Sequence, residues 1–161
     1  MSSPIVRFTV DATGATAKYA GKTEAIRAAL TERTTAINLA LTAKIEGRLE
    51  GELLKSHTHK LAGSVRAIPT TSNATQIAGG VQAGGGPAFY AKFLEDGSAP
   101  HVIMPKDPKG VLAFRIGGQM MFRRKVMHPG TRAYLFMKGT LEQSREGIVA
   151  SYQQAVDEVA G

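Results

Sequence analysis

Apolar and polar residues alternate over residues 5–10, Ile-Val-Arg-Phe-Thr-Val, and β-branched types dominate. This period of two predicts a short strand. Residues 11–21 are small and polar, with two glycines and no apolar period. They read as a loop or arm, free to move in a lone subunit. Next, Ile26, Leu30, Ile37, Leu41, Ile45, Leu49 and Leu53 recur in steps of four and seven. That spacing places them on one face of a helix over 23–55, with Thr23 as its cap and Glu24 set against the dipole. Such a helix is about 50 Å long at 1.5 Å per residue. Either it breaks near Thr34-Thr35 or kinks, or a second subunit covers part of its apolar stripe.

Residues 61–68 and 75–82 form two β-like runs, and the polar stretch 70–73 between them predicts a hairpin. Gly84-Gly85-Gly86-Pro87 ends the second run; no Gly-Lys-Ser/Thr follows, so the glycines read as a turn and not as a phosphate cradle. A short helix is expected over 88–95, anchored in the core by Tyr90, Phe93 and Leu94. The runs 111–116 and 120–126 flank Gly117-Gly118, a second hairpin signal. A C-terminal helix over 133–159 presents Leu141, Ile148, Tyr152, Val156 and Val159 on one face. The pattern predicts an α+β domain: a small, mostly antiparallel sheet from 61–82 and 111–126, packed against a long N-terminal helix and a C-terminal helix. The N-terminal strand joins this sheet or that of a neighbour.

Composition narrows the function classes. The 161 residues, 43% hydrophobic, suit one domain with a real core. No apolar run reaches the roughly 20 residues of a membrane helix, and no secretory signal is expected at the N-terminus. There is no cysteine, which excludes disulfides and thiolate metal sites. Charge is unevenly placed. Residues 101–138 hold eight Lys/Arg against the single acid Asp107, so the whole formal net charge of +7 lies there. A basic surface of this kind suits nucleic acid or an acidic protein partner.

Catalytic chemistry has little to stand on. His57 and His59 are two apart, unsuited to one helix face. His101 and His128 lie in two Gly/Pro turns, and Glu95 and Asp96 are the acids expected near them. A His/His/carboxylate set binds zinc in some proteins, but no HExxH spacing occurs, and each histidine adjoins a proline where it can satisfy turn backbone groups. No nucleophile elbow is present. No enzyme activity, cofactor or metal is expected.

The densest basic cluster, Arg123-Arg124-Lys125, follows Met120-Met121-Phe122. Phosphate contact, a solvated hairpin tip and ion pairs with a neighbouring subunit are the three readings. No helix-turn-helix, zinc-finger or ribonucleoprotein signal occurs, so the protein–protein reading is preferred. Glu95 is a candidate acceptor for such a pair, or a cap for the 97–101 turn. Gly97, Pro100 and His101, and then His128, Pro129 and Gly130, are expected to fix two structural turns.

Several of these residues also carry a family resemblance. Tyr90, Phe93-Leu94-Glu95-Asp96-Gly97-Ser98, Pro100-His101, Leu112-Ala113-Phe114 and Val126-Met127-His128-Pro129-Gly130-Thr131 ahead of Phe136 stand in order. Upstream, Thr58, Leu61 and Ser64-Val65 extend the match. Together they resemble the HK97 gp10-like tail components of long-tailed bacteriophages, over about residues 55–150. His59-Lys60 depart from that pattern, which has Gly after Thr, and Ser98 replaces its Thr. The resemblance implies a structural virion protein of the head–tail joining (neck, tail completion) region or the tail end. It implies a homo-oligomeric ring, a hexamer or alternatively a dodecamer. One face would dock a head-completion, stopper or adaptor protein, the other the tail tube or tail terminator. It places the chain in the virion, and in the host cytoplasm during assembly. The alternative is a basic accessory protein that binds nucleic acid through residues 101–138; non-specific contact with packaged DNA is compatible with either.

Overall fold

The alternating stretch at the start of the chain is a strand, β1 (Ile5–Asp11), in the computed structural model, which describes residues 3–52 and 59–161. It pairs antiparallel with β3 (Gln76–Gln82), which also pairs with β2 (Arg66–Ser72). The strand order β1-β3-β2 makes β3 central and leaves β1 and β2 as edges. The N-terminal strand therefore joins the chain's own sheet.

Residues 11–21 are not a loop. They form a short helix, α1 (Thr13–Lys18), and a single 3-10 turn (Ala20–Lys22). The Asp11 carboxylate accepts the Thr13 N–H at 2.9 Å and starts the turn. Burial here uses small or amphipathic residues, Ala12, Ala15 and Tyr19, packed on Ile26, Leu30 and Ile77, so no periodic apolar signal marks it.

The long helix α2 (Thr23–Gly47) begins where expected, but Thr23 does not cap it. The preceding residue is Lys22, and the Thr23 hydroxyl donates back to the Ala20 carbonyl. The helix runs unbroken through Thr34-Thr35, then widens into a π turn (Arg48–Glu52) whose Gly51 leaves helical geometry. The expected continuation through Leu53 to residue 55 lies outside the described residues, as does His57. The stripe Ile26, Leu30, Ile37, Leu41, Ile45 and Leu49 is buried, each residue worth roughly 1.5–3 kcal/mol. The sheet and the C-terminal helix α4 (Lys138–Ala160) cover it within one chain, so no second subunit is needed on that face.

Helices α2 and α4 are also cross-linked by polar contacts. Thr34 Oγ1 lies 2.8 Å from the Tyr152 hydroxyl, and burial pushes the Tyr152 phenol above its ordinary pKa. Arg48 donates to Thr140 at 2.7 Å. Lys22 Nζ donates to the Val159 and Ala160 carbonyls, satisfying the C-terminal end of α4.

The first hairpin forms with its turn displaced. Asn73 makes it, its side-chain oxygen accepting the Thr75 and Gln76 N–H groups, and Thr70, Thr71 and Ser72 belong to β2. Leu61, Ala62 and Val65 are core residues of a 3-10 turn (Ala62–Ser64), not of a strand. The short helix α3 (Ala91–Asp96) follows a turn at Gly86–Ala88. Its buried residues are Ala91 and Glu95; Tyr90 and Leu94 are half-buried and pack against the core as expected, whereas Phe93 is exposed and does not anchor it. Helix α4 starts at Lys138, later than the sequence pattern suggests, because 132–135 are irregular, with Leu135 at a positive φ of 50°, and 136–137 form a turn ahead of it.

The fold class is α+β as read from the sequence. The sheet is smaller than expected: residues 111–126 pair only among themselves or with β4 (His101–Ile103), never with β1, β2 or β3.

Candidate assembly interface

Residues 98–131 form one two-stranded antiparallel arm. Its root is the reciprocal pair Ser98 and Thr131, whose N–H groups donate to each other's carbonyls at 2.9 and 3.0 Å. Strand β4 then pairs with β7 (Val126–His128). Further out, β5 (Leu112–Ile116) pairs with β6 (Gln119–Arg123) around Gly117-Gly118, both at positive φ as the tight hairpin requires. Between the two ladders, residues 104–111 bulge out on one side while only Arg124-Lys125 span the other. Val126 thus belongs to a separate strand from Met120.

The two Gly/Pro turns meet at the root. Gly97 and Gly130 both have positive φ, +75° and +89°. A Cβ on Gly130 would overlap the Ser98 carbonyl oxygen; one on Gly97 would lie 2.6 Å from the Thr131 oxygen. The crossing needs glycine on both strands for conformation and for space. His101 and His128 are register partners with stacked rings, centroids 5.0 Å apart. Each serves its own turn: His101 Nδ1 lies 3.0 Å from the Ala99 carbonyl, and His128 Nδ1 accepts the Gly130 N–H at 3.1 Å. Pro100 and Pro129 flank them, both exposed. Among the described residues, no three His, Asp or Glu side chains cluster as a metal site would require. Nor is any helix there long and apolar enough to cross a membrane.

We expect Gly130→Val to strain this crossing by about 1–3 kcal/mol. Because the arm carries no core, the strain should appear as local opening. Hydrogen exchange at the Ser98 and Thr131 amides should accelerate about 10- to 100-fold, with a smaller change in melting temperature. Unchanged exchange would show the turn to be ordinary.

Glu95 is not an interface residue. It is buried, 1% exposed, and its carboxylate accepts the Met137 and Lys138 N–H groups, both at 2.9 Å. It caps α4 rather than the 97–101 turn. Helix α4 has Met137 at its cap position, which supplies no acceptor, so the anion comes from α3. Beside it Lys138 and Asp96 pair at 2.8 Å; their hydrogen bond lowers the Asp96 pKa and raises that of Lys138.

The other candidate residues all lie on the arm. Arg123, Arg124 and Lys125 are exposed, and no acid among the described residues pairs with them; Arg123 donates only to the Phe122 carbonyl. Met120 and Phe122 are 49% and 58% exposed and share a face with Ala113 and Arg115; Met121 is half-buried opposite Phe114 on the other. Throughout 96–135 no residue is buried, yet Val102, Met104, Val111, Ile116 and Met127 add large exposed apolar groups.

Comparison with protein-family models, with curated proteins and with solved structures gives no match. The family resemblance therefore rests on the motif residues alone.

Proposed function

We propose that this chain is a structural ring protein of the head–tail joining region of a long-tailed phage, linking the head-side connector to the tail tube. The observation that carries the proposal is the arm. An isolated two-stranded hairpin is marginal in water. This one has no buried residue, exposes apolar side chains on both faces and bears six Lys/Arg against one acid over 98–131. Apolar surface of that extent marks an interaction site. Its mixture of Met, Phe and Arg fits the centre of a protein interface better than a phosphate-tracking surface. A body with its own core and a coreless arm suits a subunit completed by its neighbours, and a closed ring needs two dissimilar patches on each copy. The motif residues supply the particular assembly, and with it the partners: further copies of itself, a stopper or adaptor on one face, a tail tube or terminator on the other.

The mass of the purified particle tests this. A closed oligomer, six copies or twelve, is expected. A monomer that binds DNA with a steep salt dependence would replace the reading with the nucleic-acid one.

A further inference from the structure

The arm's counterpart is a groove on the opposite element pair. Between β1 and α4 lies a cavity of about 530 Å³ lined by Phe8, Val10, Leu141, Ile148, Val149 and Tyr152 among others. That volume lies within the range of pockets that take a ligand of drug size. Val149 is 62% exposed, so its apolar wall is open to solvent. The four consecutive residues 8–11 line it. Successive strand residues point to opposite faces, so the groove runs along the strand's edge and not over one face. Among the described residues that edge is unpaired, since β1 bonds there only to β3. An occupant that is itself an extended strand could extend this sheet.

Charge selects the occupant. Helix α4 carries four acids, Glu142, Glu146, Asp157 and Glu158, against Lys138 and Arg145. Asp11 and Glu142 line the groove itself together with Arg145, which pairs with Glu142 at 3.7 Å. Glu146 stands with Val149 in the adjoining depression, so the groove keeps a net acidic rim although Glu158 is already paired with Arg33. The arm is strongly basic, extended and apolar, and none of its residues is buried. We infer that the arm of one copy docks in the β1–α4 groove of the next, seating Met120 and Phe122 in the groove and Arg123 to Lys125 against the acids of α4. This deepens the ring reading and rests on it: the two patches are dissimilar and lie on different elements, as a head-to-tail contact requires.

The chain lacks cysteine, so introduced thiols are unique. Met120→Cys on the arm and Val149→Cys in the groove are mixed and treated with a short bismaleimide. Leu39→Cys, on an exposed position of α2, is the comparison. Sedimentation is run on the same samples. All three sites are exposed, and melting temperatures check that each variant folds. Oligomers in which the 120 thiol couples to the 149 thiol, and several-fold less to itself or to position 39, are the expected result. Intact oligomers in which position 120 couples to itself, to position 39 or to nothing would overturn the docking and leave the ring reading standing. A monomer at every soluble concentration, without coupling, would overturn both.

Discussion

Glu95→Ala should lower the stability of the domain by about 3 kcal/mol, because two backbone N–H groups at the start of α4 lose a charged acceptor. The Met137 N–H is buried with its partner, so no water replaces the carboxylate without opening the structure. For a chain of this size the melting temperature should fall by roughly 10 °C. Glu95→Gln, which keeps one acceptor oxygen, should fall between. The neighbouring Asp96→Ala is the informative control. Its pair with Lys138 is short but solvent-exposed, and such pairs contribute about 0–1 kcal/mol. Similar losses at 95 and 96 would show that the cap is no more than a surface interaction. The Glu95 backbone carbonyl also accepts the Leu135 N–H, so this residue joins α3, the root of the arm and α4.

The elements with strong periodicity were legible in the sequence. Ile26, Leu30, Ile37, Leu41, Ile45 and Leu49 repeat at helical spacing over six turns, and burial of that stripe is what the fold provides. Strand β1 and the Gly117-Gly118 hairpin carry their own local chemistry. Helix α1 was not legible, because its contacts are made by alanines that lack a periodic contrast. The boundaries of β2 shifted because Leu61 and Val65 are core residues of a turn, and apolar residues alone do not distinguish the two over so short a run. The sheet was overextended for a related reason. The apolar alternation of residues 111–126 resembles a half-buried strand pair, yet no partner among the described residues buries it. The role of Glu95 had one available signal: Phe136-Met137 precede a long helix with no Ser, Thr, Asp or Asn at the cap position, so the acceptor had to come from elsewhere. The groove could not be read at all, since it joins residues of β1 with residues of α4 more than a hundred positions later.

Reversal of the arm's charge should separate folding from assembly. Arg123, Arg124 and Lys125 are exposed and pair with no acid among the described residues, so Arg123→Glu with Lys125→Glu removes nothing that holds the monomer together. Exposed charges contribute about 0–1 kcal/mol each, and the double variant should melt within a few degrees of the unaltered protein. Assembly is a different matter. Like charges placed across an interface cost several kcal/mol, and every subunit boundary of a closed ring would carry the same penalty. The expected result is a folded protein that stays monomeric. If the proposed joining-ring function holds, filled heads and separate tails should accumulate in a complementation assay, since the ring would be missing while both halves are complete. Normal virions from the double variant would sink the assignment of these residues to a boundary. A structure of the assembled ring with all three side chains in open solvent would do the same. An intermediate outcome also discriminates: rings that form but fail to join tails would move the basic cluster from the contact between copies to the contact between the ring and its neighbour along the tail axis.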